Sequence, residues 1–157
     1  MQFSIFQHPL NSWQGSTLVI GLYEEEIADQ LKRIEFIIEI ELLLERFKSK
    51  NFNGLVGEYL TLDLLNKGLQ TIIFIGMGKK DNLNNDIIRK TLSDGIRKLV
   101  EPAEKISILL PWESFKNKDA AYCAAETARL SLFKDNRFRS KNESKGNPKI
   151  IEFLNLK

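Results

Sequence analysis

Two patterns of apolar residues, one continuous and one periodic, divide the first third of the chain. Residues 17–22, Thr-Leu-Val-Ile-Gly-Leu, run unbroken between Gly15-Ser16 and the acidic Glu24, Glu25 and Glu26. An apolar, β-branched run of that length is the pattern of a strand covered on both faces. Over residues 25–48 the pattern changes: Ile27, Leu31, Ile34, Ile38 and Leu42 recur at three- and four-residue spacing. Acids come early in that stretch and Arg46 and Lys48 late, complementing a helix dipole, so helix is expected. Residues 34–41 also alternate in part, and two helices with a break fit as well as one long one. Ahead of both, residues 2–6 read as a short strand, which His8-Pro9 and Asn11-Ser12 end in a loop.

The rest of the chain alternates strand and helix patterns. Residues 59–65 and 69–75 are apolar runs separated by Asn66-Lys67-Gly68, a hairpin signal, and the second is apolar enough to be central. Asn84 or Asn85 is placed to cap a helix carrying Ile88, Leu92, Ile96 and Leu99 on one stripe and ending before Pro102. Residues 105–110 return as a strand, stopped by Pro111. Residues 118–133 read as a helix with Ala121, Ala125, Ala128 and Leu132 on one face, small enough to lie close to a sheet. Residues 140–148 are polar and read as a mobile loop before a last strand at 149–154. Strands alternating with helices predict an α/β fold, and the hairpin makes its sheet mixed.

Composition changes this picture little. With 157 residues, 43% hydrophobic and 28% charged, the chain fits one globular domain that needs neither disulfide nor structural metal to fold. Cys123 stands alone, so no internal bridge is available, and no signal peptide pattern opens the chain, so the expected compartment is the cytoplasm. Glu35, Glu39 and Glu41 interrupt the longest apolar stretch, which argues against a membrane span. The net charge of +2 does not by itself imply nucleic acid. Basic residues do gather at Lys134, Arg137, Arg139, Lys141, Lys145 and Lys149, with Phe133 and Phe138 beside them, but a solvated loop explains them more simply than phosphate binding.

Candidate chemistry is sparse. Gly76, Gly78 and Lys79 follow an expected strand, and such a turn can offer N–H groups and an ammonium to a phosphate. The turn lacks the third glycine of a dinucleotide fingerprint and the lysine placement of a Walker loop, so the simpler reading is a tight strand exit. Cys123 lies in an alanine-rich helix as a small packing residue, and His8 sits in a loop with no third group to orient it, so neither reads as a catalytic group. The three glutamates at 24–26 read as a helix-start cluster rather than a metal site, because adjacent helical side chains diverge.

Four segments, in order, resemble the amino-terminal domain of the leucyl (cytosol) aminopeptidases of bacterial type. Leu10-Asn-Ser-Trp-Gln-Gly-Ser-Thr-Leu-Val-Ile-Gly-Leu22 resembles the opening of that domain, and Phe52-Asn-Gly-Leu-Val-Gly57 its glycine-containing loop. Residues 72–79, followed by Ile88-Arg89-Lys90, are similar to its strand, Gly-x-Gly turn and helix. Residues 124–140 resemble its helix ending in an aromatic, a basic residue and then Asp-x-x-aromatic-basic-Ser; Thr127 departs, since the family usually has glycine after that glutamate.

The resemblance implies a three-layer, macro-domain-like α/β fold with a mixed sheet flanked by helices, one domain over residues 1–157. It implies a noncatalytic fragment of a metal-dependent enzyme that removes N-terminal residues from peptides as a homohexamer. In the family, two divalent ions, zinc or manganese, sit in a carboxy-terminal catalytic domain built around Asn-Thr-Asp-Ala-Glu-Gly-Arg-Leu. Nothing in this chain matches that motif, so that domain is expected to be absent and no catalytic or metal position carries over. The alternative expectation is a stand-alone macro-like module that binds ADP-ribose or another nucleotide at Gly76, Gly78 and Lys79.

Overall fold

The computed structural model describes residues 1–65, 68–99, 103–115, 119–133 and 148–156. Six strands form one sheet: β1 (Gln2–Phe6), β2 (Thr17–Leu22), β3 (Tyr59–Asp63), β4 (Thr71–Gly76), β5 (Lys105–Leu109) and β6 (Ile150–Leu154). Their spatial order is β1-β6-β5-β2-β4-β3. All neighbours are parallel except β3, which pairs antiparallel with β4 from Tyr59 opposite Ile75 to Asp63 opposite Thr71. The mixed sheet and the hairpin pairing are therefore as expected, although residues 66–67 of its turn lie outside the described residues.

Each central strand feeds two cores, which is why its sequence is apolar throughout. Leu18, Ile20 and Leu22 of β2, with Ile72 and Phe74 of β4, face one layer; Val19, Ile73 and Ile75 face the other. The first layer is completed by α1 (Ile27–Leu31), a turn of 3₁₀ helix at Lys32–Ile34, and α2 (Ile40–Ser49), which contribute Leu31, Ile34, Leu43 and Phe47. The second is completed by α3 (Asn85–Arg97) and α4 (Ala120–Leu132).

Two expectations about helix faces are corrected. The helical stretch breaks between Ile34 and Ile40, and the break resets the helical phase. Leu42, expected on the buried stripe, is consequently 55% exposed, while Leu43 and Phe47 point inward. In α4 the fully buried line is Ala120, Cys123, Ala124, Thr127 and Ala128, with Ala121, Ala125 and Leu132 only partly covered. The principal neighbour of α4 is α3 rather than a strand, so its small side chains allow close helix–helix approach.

One polar cluster lies inside the first layer. Trp13 Nε1 donates to Ser107 Oγ and to Glu152 Oε2, both at 3.1 Å, and Ser107 Oγ donates to the same carboxylate at 3.0 Å. Ser107 and Glu152 are register partners on β5 and β6, and Lys105 Nζ completes the set 3.1 Å from Glu152. The loop before β2 is thereby latched to the strands that come last in the chain. No helix among the described residues is long and apolar enough to cross a membrane.

Candidate functional site

The carboxyl ends of β2 and β4 bring Glu24 and Glu25 beside Gly76, Gly78 and Lys79. Helices following β2 cover one face of the sheet and those following β4 and β5 cover the other, so the loops diverge there, the place where open α/β sheets commonly bind ligands. Gly76 ends β4, and Gly78 adopts φ +71°, a conformation that favours glycine. A Cβ on Gly76 would stand 2.1 Å from the Leu55 carbonyl oxygen, so this glycine lets the residue 53–58 loop lie directly on the strand.

The N–H groups of Gly76, Met77 and Gly78 are engaged. Gly76 N donates to Glu58 O at 2.9 Å, Met77 N to Leu22 O at 2.8 Å and Gly78 N to Gly54 O at 2.8 Å. Gly78 O in turn accepts from Glu24 N at 3.1 Å. The Lys79 ammonium lies 3.9 Å from Glu24 Oε1, and Lys80 N donates to Glu25 Oε2 at 3.2 Å. Two of the three glutamates at 24–26 thus join the β2 exit to the β4 exit, while Glu26 takes a left-handed conformation at φ 55° ahead of α1. The amides of Gly76, Met77 and Gly78 thus tie the β4 exit to the end of β2 and to the residue 53–58 loop.

Sequence reasoning missed a buried group beside this junction. Tyr23, just past β2, is 4% exposed, and burial pushes its phenol up to about 12. Its backbone is held by Gln30, whose Oε1 accepts from Tyr23 N at 2.9 Å and whose Nε2 donates to Tyr23 O at 3.1 Å. Arg33 lies nearby with its guanidinium largely desolvated, which lowers its pKa against the opposing effect of Glu113. A tyrosine following an apolar run and an arginine inside a helical stretch carry no motif, so only folding brings them together.

The remaining candidates stay apart. Cys123 is buried in α4; its thiol donates to Asn85 O at 3.5 Å, and burial raises its pKa, which disfavours the reactive thiolate. His8 is exposed, with its ring edge-on to Phe6. Lys134, Arg137, Phe138, Arg139, Lys141 and Lys145 lie outside the described residues, as does most of the loop expected at 140–148. Lys149 pairs with Glu104 at 3.1 Å on the surface. Among the described residues, no three His, Cys, Asp or Glu side chains converge as a metal ligand set.

Comparison with known proteins bears on this arrangement. Residues 19–142 match the family described as the cytosol aminopeptidase family, N-terminal domain. The chain belongs to that family. A probable cytosol aminopeptidase of Prochlorococcus marinus subsp. pastoris is 48% identical over 156 residues, covering 99% of this chain and 32% of the relative. One from P. marinus strain MIT 9312 is 48% identical over 157 residues, covering 100% and 32%. The cytosol aminopeptidase N-terminal domain described here therefore spans about a third of the length of the curated relatives that it matches.

Solved structures share its fold. A tomato leucine aminopeptidase variant superposes with a TM-score of 0.69 at 16% identity, covering 100% of this chain and 33% of that one. The bottromycin maturation enzyme BotP, in complex with Mn, does so with a TM-score of 0.62 at 13% identity, covering 88% and 26%.

Proposed function

We propose that this domain is the noncatalytic amino-terminal part of a metal-dependent leucyl aminopeptidase and acts with a carboxy-terminal domain that carries two divalent ions, zinc or manganese. The observation that carries the reading is the family match over residues 19–142, in a chain spanning 32% of relatives named as aminopeptidases. A two-metal peptidase site needs several convergent carboxylates, which this reading places in the carboxy-terminal domain. This domain contributes assembly and access to the site rather than bond cleavage, within a cytoplasmic homohexamer. The cytosolic location accords with the names of the relatives.

The test is direct. Purified chain incubated with a leucyl amide and manganese or zinc is expected to release no more amine than the metal alone; turnover at enzyme-like rates overturns the reading. Calorimetry with ADP-ribose belongs beside it. With the amides of Gly76, Met77 and Gly78 engaged, no saturable heat is expected, whereas heat lost in Lys79→Ala would favour a nucleotide-binding module instead.

A further inference from the structure

With strands in the order β1-β6-β5-β2-β4-β3, the sheet has two edges among the described residues, and they differ in kind. β3 carries Asp63 at its end, and the Lys98 ammonium stands 4.9 Å from the centre of the Tyr59 ring. Charges on an edge strand discourage pairing with another chain. β1, Gln-Phe-Ser-Ile-Phe, has neither charge nor proline. Among the described residues its one strand partner is β6.

The ladder fixes which groups of β1 are left over. Gln2 N donates to Lys149 O at 2.7 Å, with Gln2 opposite Ile150. In a parallel pair the bonded residues alternate along the strand, so Gln2, Ser4 and Phe6 turn their N–H and C=O groups toward β6. Phe3 and Ile5 turn theirs outward, where no strand of the described residues lies. The same two residues carry uncovered side chains. They stand opposite Ile151 and Phe153 on the face of the second layer, and the Phe3 ring stacks on Phe153 at 6.1 Å between centres. Phe3 and Ile5 nonetheless remain 37% and 49% exposed. Beside the start of β1 lies an open groove of about 500 Å³ lined by Met1, Leu132 and Phe133.

We propose that this edge pairs with a second copy of the chain, β1 against β1 and antiparallel about Ser4. The occupant follows from the edge itself. In that register Phe3 of one copy stands opposite Ile5 of the other, and because both turn their backbone groups outward, they form a hydrogen-bonded pair. Residues opposite one another share a face, so the exposed Phe3 and Ile5 side chains of the two copies cover each other. No like charges meet along β1. A two-fold contact uses the same patch on both copies and closes, whereas β1 laid on the charged β3 edge would leave an open chain of copies. The two sheets become one. This inference needs only the present chain and stands apart from the enzyme reading.

Analytical ultracentrifugation of the purified chain should show a concentration-dependent equilibrium between monomer and dimer. Ile5→Lys supplies the edge charge that β1 lacks and should weaken association by about tenfold or more. The Tm at low concentration should stay unchanged, since the side chain is half exposed. Hydrogen exchange on the unaltered chain gives a reading that does not depend on how a variant folds: the Phe3 and Ile5 amides should slow as concentration rises, and those of Tyr59 and Thr61 on β3 should not. A chain still monomeric at about 1 mM overturns the proposal. So does a dimer that forms equally well with Ile5→Lys, or one that leaves the Phe3 and Ile5 amides unprotected. Amides protected to the same degree at every concentration would show an edge already covered within one chain, and that result overturns it too.

Discussion

Gly76 and Tyr23 show how single residues set the carboxyl edge. The Cβ of Gly76→Ala would meet the Leu55 carbonyl oxygen at 2.1 Å and Gly54 C at 2.6 Å, both backbone atoms that cannot swing aside. Urea unfolding should therefore show a loss of about 1–3 kcal/mol, the range for overpacking a fitted contact. Tyr23 makes a prediction in pH. Its phenol ionises near 10.0 in the unfolded chain and near 12 when folded, so between those values the unfolded state binds fewer protons and stability falls as pH rises. Tyr23→Phe should flatten that decline in pH-dependent unfolding. At neutral pH it should change stability by no more than about 1 kcal/mol, because the buried hydroxyl has only Ser114 beside it as a weak partner.

At the scale of elements, helix boundaries were legible where a side chain acts locally. Asn84 Oδ1 accepts from Ile87 N at 3.0 Å, an N-cap visible in the sequence as an asparagine before an apolar stripe. Asn84→Ala should lower stability by about 1 kcal/mol in chemical denaturation, and Asn84→Asp should retain most of it. Helix phase was less legible. Residues 34–41 allowed either one helix or two, and only the core facing Leu43 and Phe47 selects the break that turns Leu42 to solvent. Thr127 is a similar case: its hydroxyl donates to Cys123 O at 2.7 Å, so a polar residue on the buried face of α4 is satisfied by its own helix.

Across the whole molecule, Trp13 joins the early loop to β5 and β6, 94 and 139 residues away in sequence. Trp13→Phe keeps an aromatic ring but removes the donor shared by Ser107 and Glu152. A loss of about 1–3 kcal/mol is expected, read as an earlier urea midpoint. Nothing near Trp13 signals this role, because its partners are an ordinary serine and glutamate on strands formed much later in the chain. By itself the sequence determined the strand and helix order, the mixed character of the sheet and the family, because apolar periodicity, turn residues and motif order are local properties of the chain. Only the tertiary structure decided which helix faces are buried, that the amides of Gly76, Met77 and Gly78 are engaged, and that Tyr23 and Arg33 come together past the end of β2. Those depend on contacts between residues far apart in sequence, and such contacts exist only once the sheet has assembled.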